Sequence, residues 1–324
     1  MGGEIGMRLI VWLGLLGLAM TAVAVETEPD PVDWLRSMRQ AVSTRSFQGH
    51  VTYIKDQKVD TFRLFHAQVD GVDREHLIST SSPLREVVRV GRTVSRYAQD
   101  AQQVAVEVRP MDQSLLMALP EDPKVLERYY QFSLRGREYV AGLLTQVVAL
   151  EPRDPYRYSR LFWIDVATRL PLKLDVLNED GQSVEQVLFT ALNARDPVPL
   201  KDLEPTLRGS QPITQISHRE PQALKDLRWT LTKVPDGFQI VALTTLKKPQ
   251  SDSAVDQILL SDGFSAVSIY IEPKDNRAAT GPRRMGAVNV EVLTRGDHLV
   301  TVMGEVPMPT IQLIGKGFSE KTHP

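Results

Sequence analysis

An amphipathic helix is predicted soon after the apolar start of the chain. Five apolar residues recur at helical spacing, namely Trp34, Leu35, Met38, Ala41 and Val42. Asp30 or Asp33 stands where a carboxylate accepts hydrogen bonds from the first free amide groups of a helix. We therefore predict one helix whose apolar stripe packs against another element.

From Ser46 onward the period of the pattern changes to two, which is typical of β-strands. The apolar face of the first strand carries Phe47, Gly49, Val51 and Tyr53. Further strands are predicted at Thr61–Val69, Glu75–Ser79, Glu86–Val90, Thr93–Tyr97, Val104–Val108, Tyr130–Leu134 and over at least part of Glu138–Leu150. Many short strands beside a single clear helix predict a large antiparallel sheet.

Residues 160–193, RLFWIDVATRLPLKLDVLNEDGQSVEQVLFTALN, predict three more strands joined by two short turns. Within them Leu161–Ile164 is apolar on both faces, whereas an antiparallel strand usually has one apolar face. Two interpretations stay open. One face packs on the helix while the other lines a hollow, or one face is ordinary core while the other carries a partly exposed aromatic side chain.

A proline-rich stretch divides the chain. Residues 195–228 contain five prolines and little apolar periodicity, which is typical of a linker. We predict a first domain at 25–196, a linker at 197–228 and a smaller second domain at 229–324. In the second domain we predict a short helix near Pro309, a loop at 275–286, and strands at Gln239–Thr245, Gln257–Leu260, Ser265–Ile271, Ala287–Leu293 and Leu299–Glu305.

The first residues predict export. Arg8 precedes an uncharged, mostly apolar run from Leu9 to Val25, in which Ala22-Val23-Ala24 has the small-x-small pattern of a signal-peptidase site. We predict that residues 1–24 are a signal peptide cleaved between Ala24 and Val25, and that the mature protein is periplasmic. The alternative is a membrane anchor, but no basic stop-transfer cluster follows the run.

Few residues suggest catalysis. The chain has no cysteine and six histidines, none spaced as a metal-binding pair, and it lacks the nucleotide-binding and nucleophile motifs. We predict no cofactor, no metal and no catalytic residue, hence no enzyme, although a hydrolase site assembled from scattered residues stays open. A net charge of −2 with mixed signs argues against a nucleic-acid partner.

Six fragments together resemble one known family. They are SFQGHVTYI (46–54), REVVRVG (85–91), LPLKLDVLNEDGQSVEQVLFTALN (170–193), VPDGF (234–238), FSAVSIYIEP (264–273) and LVTVMGEVP (299–307). Their order is similar to that in the MucB/RseB family of periplasmic regulators of an envelope-stress sigma factor. The resemblance implies a mostly β (α+β) fold: a large half-open antiparallel barrel with helices, similar to the lipoprotein carriers LolA and LolB, and a smaller antiparallel-sheet C-terminal domain.

The resemblance also implies a function. The family binds the periplasmic part of a membrane-spanning anti-sigma factor, shields it from proteolysis, and senses lipids, mislocalised lipoproteins or lipopolysaccharide components. An alternative is a periplasmic lipid or lipoprotein carrier, which would leave the second domain without a task. The sequence leaves the oligomeric state open, a homo-oligomer included.

Two groups of residues are candidates for these contacts. An antiparallel sheet that curls without closing can enclose a cavity, and its concave face would receive acyl chains. The lipid-cavity candidates are Phe47, Val51, Tyr53, Phe62, Leu64, Phe162, Ile164, Leu172 and Leu174. The candidates for a phosphate or an acidic partner are Lys274, Arg277, Arg283 and Arg284, for which a solvated loop is the alternative. The linker is predicted to be the hinge between the domains.

Overall fold

The computed structural model describes residues 30–99, 104–108, 119–207, 212–216, 228–247, 254–274 and 279–321. Within these ranges the chain forms one sheet of twelve strands, one sheet of six strands and a short two-stranded ribbon. None of the helices in these ranges is long and apolar enough to cross a membrane. The predicted signal peptide lies outside the described residues.

The larger sheet contains most of the first half of the chain. Its elements are α1 (Pro31–Thr44), β1 (Phe47–Lys55), β2 (Lys58–Val69), β3 (Val72–Ser79), β4 (Arg85–Val90), β5 (Thr93–Ala98), β6 (Val104–Val108), β7 (Tyr130–Val140), β8 (Leu143–Pro152), β9 (Ser159–Asp165), β10 (Pro171–Leu177), β11 (Ser183–Asn193) and β12 (Pro212–Ile216). The strand order is β12-β6-β5-β4-β3-β2-β1-β11-β10-β9-β8-β7. Its pairs are antiparallel apart from β12 with β6.

The smaller sheet is built from the second half of the chain. Its elements are β13 (Trp229–Leu231), β14 (Gln239–Lys247), β15 (Ala254–Ser261), β16 (Ala266–Pro273), β17 (Gly281–Met285), β18 (Val288–Arg295), β19 (His298–Gly304), α2 (Met308–Gly317) and β20 (Phe318–Glu320). The order of the six strands is β14-β15-β16-β19-β18-β17, and β13 pairs with β20. The prediction of a mostly β fold, with a large antiparallel sheet that does not close and a smaller second sheet, is confirmed.

Helix α1 begins and ends where its sequence predicts. The Asp30 side chain accepts a hydrogen bond from the amide of Val32, and Pro31 occupies the first turn, where it needs no amide partner. The chain becomes extended at Arg45. The predicted stripe is buried, and Leu35 and Met38 are fully buried within it. Of the two proposed capping residues, Asp30 is therefore the one that caps the helix.

Strand β9 settles the question of its two apolar faces. Phe162 and Ile164 are fully buried on the face that packs on α1. Trp163, on the other face, donates its indole N–H to Glu138 at 2.8 Å, and the ammonium group of Lys173 lies 4.0 Å from its ring centre. The second face is thus covered by polar side chains, and Trp163 is buried rather than partly exposed.

Two of the predicted elements need correction. Glu138–Leu150 is divided between β7 and β8 by a turn at Ala141 and Gly142, both of which have positive φ. Residues 281–285, predicted as part of a loop, form strand β17 at the edge of the small sheet. Four of its five residues are exposed, so no apolar alternation marks the strand.

The first part of the predicted linker packs on the large sheet. Val198 and Leu203 are buried against β2. The carboxylate of Glu86 accepts hydrogen bonds from the amides of Thr206 and Leu207 at 2.8 and 3.2 Å, and from the Thr206 hydroxyl. Burial alone would raise the pKa of Glu86, but these hydrogen bonds outweigh it and hold the pKa below its usual value. Residues 195–207 are therefore attached to the first domain.

A side chain of the second domain is buried in the core of the first. Phe264, in the turn between β15 and β16, is only 7% exposed. Its ring lies edge-on to Tyr130, with 5.7 Å between ring centres, and 6.5 Å from the ring of Phe162. Trp34 and Leu35 of α1 belong to the same apolar cluster. The two domains thus share one core at this point.

A buried guanidinium joins the two domains beside Phe264. Arg157, between β8 and β9, donates from Nε to the Asp262 carboxylate at 2.7 Å and from a terminal nitrogen to the Asp236 carbonyl at 2.5 Å. The rings of Tyr129 and Phe238 lie 4.4 and 5.1 Å from its central carbon. Because a buried charge is tolerated only when it is paired, this contact fixes the second domain against the first.

Neighbouring residues extend the same interface. The Thr310 hydroxyl at the start of α2 donates to the Tyr156 carbonyl at 2.7 Å. The Asn289 amide donates to the Tyr158 hydroxyl at 2.8 Å, and Tyr158 packs against Ala287. Residues 156–158 of the first domain are therefore bonded to four separate parts of the second, at Asp236, Asp262, Asn289 and Thr310.

We predict that Glu86→Ala releases residues 195–207 from the large sheet. The change removes the acceptor of three hydrogen bonds from Thr206 and Leu207, and we expect it to lower the free energy of unfolding by roughly 1–3 kcal/mol. Limited trypsin digestion read by mass spectrometry should cut after Lys201 sooner than in the unchanged protein. Glu204→Ala, an exposed change in the same segment, is the control, and equal digestion of both variants would contradict the attachment.

We also predict that Arg157→Met destabilises the whole chain. It leaves the fully buried carboxylate of Asp262 without its cationic partner, which should cost roughly 3–5 kcal/mol. Urea unfolding at neutral pH measures the change. The exposed Arg153→Met is the matched control and should shift stability by about 0.5 kcal/mol or less. Similar values for the two variants would show that the interface carries no such energy.

Candidate functional site

The face of the large sheet that packs on α1 brings most of the predicted lipid-cavity residues together. Phe47, Val51, Leu64 and Leu172 lie in one apolar cluster with the C-terminal half of α1. A second cluster, around the N-terminal half of α1, contains Phe162, Ile164 and the partly buried Leu174. The sheet order places β1 and β2 on one side of β11 and β9 and β10 on the other, so the two clusters adjoin along α1.

Two of the nine candidates lie outside these clusters. Phe62 is half-buried on β2, opposite Val51 of β1 and Ser79 of β3. Tyr53 is half-buried near the end of β1, where its hydroxyl donates to the Glu185 carboxylate. Tyr53 therefore belongs to a polar environment rather than to the apolar face.

The clustered candidates are covered by other parts of the same chain. Phe162, Ile164, Leu64 and Leu172 are 0% exposed. The second cluster is completed by Trp34, Leu35 and Met38 of α1, by Leu119 and Leu126 of the segment before β7, and by Phe264 of the second domain. An acyl chain could reach this face only by displacing one of these covering groups.

A cleft of about 530 Å³ lies between the two domains. The first domain contributes the β1–β2 turn at 54–57 and the β10–β11 hairpin, and the second contributes Arg284 and Gly286. Gly286 has a φ of 59°, and a side chain there would collide with that of Lys55. Glycine thus allows the two domains to approach closely beside the cleft.

Glu185 is the unusual titratable group of this cleft. Burial, and then the nearby carboxylate of Glu305 in the second domain, raise its pKa to about 7, while Lys55 and Tyr53 oppose the rise. One of its carboxylate oxygens is buried without a hydrogen-bond partner among the described residues. No sequence pattern indicates this group, because its neighbours Glu305 and Tyr53 are distant along the chain.

The basic candidates do not form a single patch. Arg283 and Arg284 are adjacent on the edge strand β17 and donate to the carbonyls of Ala279 and Gly286. Lys274 follows β16 and is exposed, near the hairpin end at His298. Arg284 pairs with Asn289, Asn289 with Gly304, and Gly304 with Val267 near the start of β16. Lys274 follows the other end of β16, so Lys274 and Arg284 lie at opposite ends of the strands. Arg277 lies outside the described residues.

The described part of the chain gives no support for metal chemistry. Within it, no three His, Asp or Glu side chains are placed to hold a metal ion. The acidic pair Glu179 and Asp180 is exposed in the β10–β11 turn. The features that distinguish the site are instead the covered apolar face, the interdomain cleft and the shared core around Phe264.

Comparisons with known proteins identify the family. The family model for the MucB/RseB N-terminal domain matches residues 30–207, and that for the MucB/RseB C-terminal domain matches residues 223–319. The sigma factor AlgU regulatory protein MucB of Pseudomonas aeruginosa is 31% identical over 95% of this chain and 96% of its own length. The sigma-E factor regulatory protein RseB of Escherichia coli K12 is 26% identical over 87% of this chain and 88% of its own.

Solved structures agree over both domains. A crystal structure of MucB in complex with MucA(peri) matches with a TM-score of 0.70 and 28% identity, over 91% of this chain and all of that one. A complex of Pseudomonas aeruginosa MucA and MucB gives a TM-score of 0.72 at the same identity and coverage. MucB crystallised by itself gives 0.62, at 26% identity and over 89% of this chain.

The matches confirm the resemblance read from the six sequence fragments. The relatives are regulatory proteins, so the prediction that the chain is not an enzyme is confirmed as well. Both family models are matched in order and together span most of the described residues. The chain belongs to the MucB/RseB family of sigma-factor regulators.

Proposed function

We propose that this chain is a periplasmic negative regulator of an envelope-stress sigma factor. It binds the periplasmic part of a membrane-spanning anti-sigma factor and shields that segment from proteolysis. The observation that supports this most directly is its similarity, over both domains, to MucB crystallised with MucA(peri). The apolar run that ends at Ala24 supports export of the mature chain to the periplasm.

We propose further that the apolar face of the large sheet senses lipids. The chemical class of ligand is an acyl chain, carried by a lipid, a mislocalised lipoprotein or a lipopolysaccharide component. Phe162, Ile164 and Leu172 would contact it, and each methylene removed from water would contribute about 0.8 kcal/mol. If the lipid-bound form binds the anti-sigma segment less well, linkage requires that each ligand weaken the other by the same factor.

The edge strand β17 is a second proposed contact. Arg284 lines the interdomain cleft, and Arg283 is exposed beside it on the same strand. Two positive charges on one edge strand suit a phosphate group or an acidic stretch of the partner segment. Lys274, at the opposite end of the sheet, remains a candidate for the same kind of contact, and so does Arg277, which lies outside the described residues.

A lipid or lipoprotein carrier is the competing function. It accounts for the apolar face but gives no task to the second domain. In this chain the second domain is attached through the buried pair of Arg157 and Asp262 and through Phe264. These buried contacts between the domains favour a regulator whose two domains act together.

We predict that the mature protein binds the periplasmic segment of its host's anti-sigma factor and that lipid weakens this binding. Isothermal titration calorimetry, without and with a diacylated lipopeptide, measures both effects. The bound segment should also be cut more slowly by the protease that normally begins its degradation. A segment of the same composition in scrambled order is the control. Lipopeptide binding without affinity for the segment would favour the carrier, and binding of neither would contradict the proposal.

We predict that reversing the charge of β17 weakens the segment's binding. The double change Arg283→Glu and Arg284→Glu should lower affinity by roughly tenfold or more and reduce its dependence on salt. The matched control is Arg195→Glu with Lys201→Glu, two exposed residues of the first domain, which should leave affinity unchanged. Equal effects of the two double variants would exclude a specific role for β17.

A further inference from the structure

The turn that carries Phe264 is built to hold one side chain in the first domain. The Asp262 carboxylate accepts hydrogen bonds from the amides of Phe264 and Ser265 at 2.9 and 2.6 Å, and Gly263 provides a φ of 90°. The same carboxylate accepts from Arg157 of the first domain. One buried side chain therefore shapes the turn and also attaches it to the other domain.

The environment of Phe264 belongs to the first domain. Its ring contacts Tyr130 and Phe162, and the guanidinium of Arg160 lies 4.1 Å above its centre. The apolar cluster around it contains Leu126 and Ile164, and Phe264 is its one member from the described part of the second domain. The aromatic ring occupies the first domain's apolar interior as a bound ligand would.

Phe264 covers the same residues that an acyl chain would contact. Phe162 and Ile164 are fully buried in its cluster, and Leu174 packs against it. An acyl chain is apolar and flexible, and it needs the same dry surface. The ring and the chain cannot fill one volume at the same time, because protein interiors are close-packed.

We propose that the pocket of Phe264 is an acyl-chain binding site and that Phe264 is a built-in plug which an acyl chain replaces. This inference rests on the lipid sensing proposed above, and it adds where the acyl chain binds and how its binding changes the contact between the domains. When an acyl chain enters, the turn at 261–265 leaves the pocket. The second domain then loses the contact that Phe264 makes with the first, and the pairing of Asp262 with Arg157 is strained or broken.

An engineered disulfide that holds Phe264 in its pocket tests the proposal directly, because the natural chain contains no cysteine that could form a competing bridge. A Cβ built on Gly263 lies 4.0 Å from the Cβ of Pro120 in the first domain, a distance within the range of disulfides. In the double variant Pro120→Cys and Gly263→Cys, oxidation should lock Phe264 in its pocket. The reduced form of the same variant is the reference, since Gly263 has a φ that favours glycine.

The measurement is binding of a diacylated lipopeptide below its micelle concentration. We expect oxidation to lower the variant's affinity by roughly tenfold or more and reduction to restore it, while the unchanged protein responds to neither treatment. Equal affinity of the oxidised and reduced forms would overturn the plug and leave lipid sensing in place. Failure of the unchanged protein to bind the lipopeptide would overturn lipid sensing and the plug together.

A second pair of variants tests the plug without a crosslink. Phe264→Ala empties the pocket, so an acyl chain no longer has to displace the ring, and lipopeptide affinity should rise by roughly tenfold. Phe264→Leu keeps an apolar side chain there and should bind much as the unchanged protein does. Unchanged or weaker lipopeptide binding by Phe264→Ala would contradict the proposal.

Discussion

The contact between Arg157 and Asp262 is the constraint on which the arrangement of this molecule depends. A guanidinium and a carboxylate are both removed from water at a boundary between domains, and neither can be left there alone. Asp262 in turn shapes the turn that buries Phe264 in the first domain. The position of the second domain is therefore fixed by a few buried groups rather than by the length of the linker.

This arrangement connects the apolar face to the domain interface. Residues proposed to contact lipid, such as Phe162 and Ile164, are in the same cluster as a side chain from the other domain. A ligand that competes for this cluster acts on the domain contact without any longer pathway. The linker, whose first part is attached to the large sheet by Glu86, is left to accommodate such a movement rather than to drive it.

Local patterns in the sequence predicted much of the fold. The period of the α1 stripe and its cap at Asp30 are local signals, and so is the alternation in most strands. Strand β17 was missed because an exposed edge strand has no apolar face to show. The roles of Phe264 and Glu185 could not be predicted, because each depends on residues that approach only when the two domains meet. Phe264 stands directly before the strand predicted at Ser265–Ile271, and no local pattern there indicates contact with the first domain.

The most direct test is to measure the distance between the two domains with and without bound lipid. Cysteines introduced at the exposed Val59 of the first domain and Asp297 of the second can carry spin labels, and pulsed electron–electron double resonance then measures the distance between them. With saturating diacylated lipopeptide the distance distribution should shift and broaden, because the plug has left its pocket. A distribution that stays the same while lipopeptide is demonstrably bound would contradict the coupling of the apolar face to the second domain.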